Sequence, residues 1–106
     1  WGIGFAYDPH RRGEQAKFYD RVMTHIRDVR RMGSAALDLC RVASGQLDGY
    51  WEFQLNAWDI AAGGIIAREA GAVTRGFHGY TFEEGYVLAS NPALNAPMLA
   101  VLDAYR

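Results

Sequence analysis

Leu47 to Gly71 reads LDGYWEFQLNAWDIAAGGIIAREAG and joins two different periodicities. Over Leu47 to Leu55, the residues Leu47, Gly49, Trp51, Phe53 and Leu55 alternate with Asp48, Tyr50, Glu52 and Gln54. That period of two predicts a strand with one apolar face. Asn56 then stands where a helix N-cap belongs, Asp59 falls at the third position of a helix predicted over 57–70, and Gly71 supplies the stop. In α/β proteins ligands bind where strand ends meet helix N-termini, and Glu52 and Asp59 both fall at such an edge. A carboxylate in a first helical turn also suits the helix dipole, for about 0.3–1 kcal/mol, so position alone leaves capping and ligand binding both open for Asp59. Gly63 and Gly64 lie inside the helix at a cost of roughly 1 kcal/mol each relative to alanine. Close approach of another backbone would offset that cost, which makes these glycines structural support.

Working outward, Gly2 to Tyr7 (GIGFAY) reads as a short buried strand closed by the Asp8-Pro9 turn signal. Arg12 to Asp28 carries Phe18, Val22, Met23 and Ile26 at helical spacing. Val29 to Met32 is a brief strand candidate. Ser34 is placed to cap a second helix bearing Ala36, Leu39, Cys40 and Ala43, with Gly45 as its stop. Downstream, Ala72 to Arg75 and Tyr86 to Ser90 read as strands separated by a glycine-containing loop. Asn91-Pro92 opens a last helix with Leu94, Met98, Leu99 and Leu102 on its apolar face. The alternation predicts an α/β fold, a layered sheet flanked by helices, without internal repeat or linker.

The length of 106 residues is that of a single domain, and area scaling allows roughly 5,900 Å² of folded surface against roughly 17,000 Å² unfolded, enough burial for one real core. Half the residues are hydrophobic and 22% are charged, which is globular composition. A net charge of -1 argues against a non-specific nucleic-acid binder, which needs a basic excess to displace counterions. The charge is nevertheless uneven. Residues 1–41 carry eight Arg/Lys against five Asp/Glu, net +3, and residues 42–106 carry three against seven, net -4. Cys40 is the single cysteine, which excludes an internal disulfide and a cysteine-rich zinc site and suits a reducing, cytoplasmic setting. No apolar run approaches the ~18 residues of a membrane span, and no basic-then-apolar leader is present. The chain opens at Trp1 directly into an apparent core strand, so a fragment or a processed chain is expected. His10, His25 and His78 have no ligand-pair spacing and are expected to pack or face solvent. Arg30-Arg31 could face an anionic substrate or simply be solvated. Cys40 is expected to pack as a small hydrophobe.

Trp58-Asp59-Ile60-Ala61-Ala62-Gly63-Gly64, followed by Arg68-Glu69-Ala70-Gly71, resembles the C-terminal signature of the inositol monophosphatase family of metal-dependent phosphatases. Arg31-Met32-Gly33-Ser34-Ala35-Ala36, Leu47-Asp48-Gly49-Tyr50-Trp51-Glu52-Phe53 and Ala89-Ser90-Asn91-Pro92 are similar to family segments in the same order. The resemblance spans essentially the whole chain and only the C-terminal half of the family. It implies that Asp59 ligates a catalytic Mg²⁺, that Glu52 accepts a hydrogen bond from a substrate hydroxyl, and that Gly33, Ser34 and Ala35 contact the polyol part of the substrate. For Ser34, capping and binding can hold together. The implied reaction is Mg²⁺-dependent hydrolysis of a small phosphate monoester, with an activated water attacking in line.

The same resemblance implies partners and gaps. The family's other metal ligands lie in its N-terminal half, on a glutamate and an Asp-Pro-Ile-Asp-Gly-Thr motif, and neither occurs here. Asp8-Pro9-His10-Arg11 begins alike but has Arg11 in place of the second aspartate and reads as a turn. Ala72 departs from a usual glycine, and Phe77 to Glu84 match no pattern. The chain is therefore expected to be inactive by itself, to need the missing N-terminal half, and to pair as a homodimer. Histidinol phosphate, sugar phosphates and 3′-phosphonucleotides are alternative substrates. A truncated, non-catalytic relative acting as an interaction module is the alternative class, and retention of both Glu52 and Asp59 favours the enzyme.

Overall fold

The fold comes from a computed structural model that describes residues 1–105. The elements are β1 (Gly2–Ile3), α1 (Pro9–Val22), a 3-10 turn (Met23–His25), β2 (Arg30–Arg31), α2 (Ala35–Ala43), β3 (Gly49–Glu52), α3 (Ala57–Glu69), β4 (Val73–Arg75), β5 (Val87–Ser90) and α4 (Pro92–Ala104). The five strands form one sheet in the order β2-β1-β3-β5-β4. β1 runs parallel to β2 and β3, whereas β5 is antiparallel to β3 and β4. The register pairs Gly2 with Tyr50, Ile3 with Trp51, and Trp51 with Leu88.

Strand alternation splits the core in two. Ile3, Trp51 and Leu88 point to one face and pack with Tyr19 and Val22 of α1, Phe77, and Met98 and Leu102 of α4. Tyr50, Val87 and Ala89 point to the other and pack with Leu39 and Val42 of α2, Ile60 of α3, Leu47 and Phe82. Helices on both faces leave β3 no solvated side. This corrects the expectation of a strand with one polar face, since every residue of β3 is buried, Tyr50 and Glu52 included. Gly63 and Gly64 do permit close packing. A Cβ on Gly63 would lie 2.9 Å from Leu39 Cβ and 3.3 Å from the Ala36 carbonyl oxygen of α2, and one on Gly64 would lie 2.9 Å from the Phe82 ring.

Three other elements differ from expectation. The first strand pairs only over Gly2–Ile3, because side chains of α1 capture the backbone beyond it. Tyr19 Oη donates to Gly4 O at 2.8 Å, and Ala6 N donates to Gln15 Oε1 at 2.7 Å. Second, Asp8-Pro9 starts α1 instead of a free turn. Asp8 Oδ2 accepts from Arg11 N at 2.9 Å and Pro9 fits the first helical position, where no N–H is needed. That helix stops at Val22, and Met23 is exposed. Third, Phe77 and Phe82 of the unpatterned loop are core residues, one on each face. His78 anchors that loop to α4, its backbone N–H donating to Asp103 Oδ1 at 2.8 Å and its ring Nε2 to Leu102 O at 2.7 Å, which is a packing role. In α4, Met98 and Leu102 are buried as expected whereas Leu94 is exposed. Among the described residues no helix is long and apolar enough to cross a membrane.

Candidate active-site cleft

A cleft of about 340 Å³ opens at the carboxyl ends of the parallel strands β1, β2 and β3, against the N-termini of α2 and α3. Gly33, Ser34, Ala35, Glu52 and Asp59 all line it, together with Arg31 and Asp38. Short joints bring them there. Gly33 has φ +87°, a left-handed turn that glycine adopts freely, and so swings the chain from β2 into α2. Ser34 caps that helix, its Oγ accepting from Leu37 N at 3.2 Å while its carbonyl accepts from Asp38 N at 2.9 Å. The cap leaves the first-turn N–H groups of Ala35 and Ala36 free of helical partners, and leaves the Ser34 hydroxyl proton free to donate.

Asp59 enters the cleft from the first turn of α3 and is half-buried. One of its oxygens, Oδ2, accepts from Asn56 N at 3.3 Å, so capping and a cleft-facing position coexist. Glu52 ends β3 and is 9% exposed. Its Oε1 accepts from Tyr50 Oη at 2.6 Å. Burial pushes the Glu52 carboxyl above the ordinary carboxylate range, while the Tyr50 hydrogen bond and the Arg31 charge oppose that rise. Burial and the neighbouring Glu52 push the Tyr50 phenol far up, so it remains a donor throughout the physiological range.

Sequence reasoning passed over one cleft group and left a second undecided between facing substrate and being solvated. Asp38 was not singled out, yet it is almost fully buried one turn into α2 and pairs with Arg41 at 3.1 Å. Burial raises its carboxyl, and the Arg41 and Arg31 charges oppose this. Arg31 is exposed, as a solvated pair would be, but lines the cleft beside these carboxylates. The usable signal was its position, two residues before the Gly33 turn.

The fit to Mg²⁺ is partial. Asp59 offers a hard carboxylate oxygen, the donor that ion prefers. Among the described residues no three His, Cys, Asp or Glu side chains come together as a metal-holding group. These residues therefore fit one ligand of an Mg²⁺ set, not the set. The cleft itself can bind hydroxyl groups with the α2 N–H groups and Glu52, face an anion with Arg31, and hold a cation edge with Asp59.

The sequence matches the inositol monophosphatase family over residues 3–104. An inositol-1-monophosphatase of Mycobacterium leprae is 46% identical over 106 residues, covering 98% of this chain and 36% of that protein. A protein of Vibrio cholerae named Nus factor SuhB is 47% identical over 78 residues, covering 72% of this chain and 29% of that protein. The solved structure of Mycobacterium tuberculosis SuhB superposes with a TM-score of 0.87 at 43% identity, covering 99% of this chain and 41% of that one. The chain thus spans about a third of the length of the curated relatives it matches. On its motifs, its mixed five-stranded sheet and these likenesses, the chain belongs to the inositol monophosphatase family.

Proposed function

We propose that this chain is the C-terminal, substrate-facing part of an Mg²⁺-dependent phosphate monoester hydrolase, acting on inositol monophosphate or a similar small ester. The observation that carries this reading is the convergence of Gly33, Ser34, Ala35, Glu52 and Asp59 on one cleft at the strand ends. In it, Asp59 is a metal ligand, Glu52 accepts a hydrogen bond from a substrate hydroxyl, and the N–H groups at the start of α2 donate to substrate oxygens. Arg31 faces the anionic ester. Asp59 would hold one edge of an Mg²⁺ ion, which when bound would supply Lewis acidity for phosphate ester hydrolysis.

The remaining metal ligands come from polypeptide outside this chain, in the missing N-terminal half. Two observations support that division. The chain covers 36% of a family-length relative. Leu37, Trp58, Ile65 and Ile66 are exposed on α2 and α3, with Trp58 at 79%, a surface suited to further polypeptide. The free Cys40 fits a cytoplasmic protein, and the family resemblance supports a homodimer. Histidinol-phosphate, sugar-phosphate and 3′-phosphonucleotide hydrolysis are alternatives within the same chemistry. A non-catalytic interaction module is a second reading, favoured by the relative named Nus factor SuhB.

The test is phosphate release by the family-length protein carrying these residues. Mg²⁺-dependent release, lowered at least about hundredfold in Asp59→Asn, is expected. The 106 residues alone should release none, and mixing them with the separately produced remainder should restore activity. Release by the 106 residues alone, or an Asp59→Asn protein of full activity, would overturn the assignment. A family-length protein inactive on all these esters would leave the interaction module as the function.

A further inference from the structure

Tyr50 is wholly buried, and among the described residues its hydroxyl has one partner, Glu52 Oε1 at 2.6 Å. The two side chains stand two residues apart on the same face of β3, where a strand brings alternate residues together. The neighbouring parallel strand leaves a slot for both. A Cβ on Gly2 would come 3.2 Å from Tyr50 Cδ1, and one on Gly4 would overlap the Glu52 carboxylate and stand 2.9 Å from its Oε2. Gly4 is itself held by the hydrogen bond from Tyr19 Oη to its carbonyl. The Glu52 carboxylate is thus pressed against β1 with Oε1 occupied. Its Oε2 has no hydrogen-bond partner among the described residues, and the side chain lines the cleft.

We infer that Tyr50 is a positioning and specificity-determining residue. It turns Glu52 into a single-oxygen acceptor that reads one ligand hydroxyl, so the site selects phosphate esters of a polyol over esters without a free hydroxyl. This rests on the phosphatase reading above. A pinned acceptor loses little side-chain freedom when the ligand arrives. Oε2 opens to the cleft, so an ester lacking the hydroxyl covers a carboxylate oxygen without offering it a donor, which is the strongest basis for rejection that a polar pocket has.

The experiment uses the family-length protein with two esters, inositol 1-phosphate and phenyl phosphate, and compares the ratio of their kcat/KM values. Tyr50→Phe keeps the ring and its packing but frees Oε1 and the carboxylate, and should lower that ratio about tenfold, mainly through a raised KM for inositol 1-phosphate. A merely structural defect would lower both kcat/KM values and leave the ratio in place, which overturns the inference. Because Tyr50 acts through Glu52, adding Tyr50→Phe to Glu52→Gln should change the ratio less than about twofold. A full tenfold loss in that background also overturns it. If the unsubstituted protein hydrolyses neither ester, this inference fails, and if it hydrolyses none of the other esters named above either, the phosphatase reading fails with it.

Discussion

The two faces of the sheet are built from different materials. Toward α1 and α4 the sheet presents large rings in edge-on contact, Tyr19 to Trp51 and Phe18 to Phe53 both at 5.7 Å between centroids. Toward α2 and α3 it presents Gly2, Gly4, Tyr50 and Glu52, and behind them Gly63 of α3 packs against Leu39 and Ala36 of α2. Aromatic packing buries much area with few polar atoms and serves stability. Small residues bury less, but they let helix starts and carboxylates reach one cleft. The difference teaches that both faces of this sheet bury a hydrophobic core, while the polar groups of the cleft gather on only one of them. Even the aromatic face has a flaw, since the buried Trp51 Nε1 has no partner among the described residues.

Substitutions can break or sharpen that contrast. Trp51→Ala empties the centre of the aromatic face and should cost about 3–5 kcal/mol in a denaturant titration of the family-length protein. Gly4→Ala, on the opposite face, should cost less, about 1–3 kcal/mol, because a methyl forces the Glu52 carboxylate from its slot. Its larger effect should be on the polyol-to-phenyl ratio, and an unchanged ratio would show that the slot does not set Glu52. Asp8→Ala removes the cap of α1 and should cost about 1 kcal/mol with no change in that ratio.

The smallest effect has the opposite sign. Burial raises the Glu52 carboxyl, so the folded protein holds this proton to higher pH than the unfolded chain. That stabilisation is complete below the ordinary carboxylate range and is lost as pH rises through the raised value. Glu52→Gln should therefore melt slightly higher than the unsubstituted protein near neutral pH, with the gap closing on acidification. A gap that widens on acidification would reverse the sign assigned to this group.

Much of this was legible in local signals. Ser34, Asn56 and Asn91 mark helix starts, and the Trp58–Gly71 segment carries enough specific residues to point to the family. Of the cleft's residues, Glu52 and Asp59 were nameable from their strand-end and helix-start positions, whereas Gly33, Ser34 and Ala35 were nameable as binding residues only through the resemblance to the family. Errors arose where the decisive partner is distant in sequence. Nothing near Gly4 reveals that Tyr19 and Gln15 will take the backbone groups of Gly4 and Ala6 and end β1 early. Alternation along Leu47 to Leu55 gives the faces of β3 correctly but not that both are covered, and so it put Tyr50 and Glu52 on a polar face.

The amino-acid sequence by itself determined the α/β class, the helix boundaries set by caps and glycines, and the family. These depend on contacts within a few residues, which periodicity and capping chemistry report directly. Only the tertiary structure decided that Glu52 is buried, that Tyr50 holds one of its oxygens, that Gly4 makes the room, and that Arg31 and Asp38 share the cleft. Those facts arise where separate strands and helices meet, and burial, which sets the charge and reach of a carboxylate, belongs to the assembled layers rather than to any one segment.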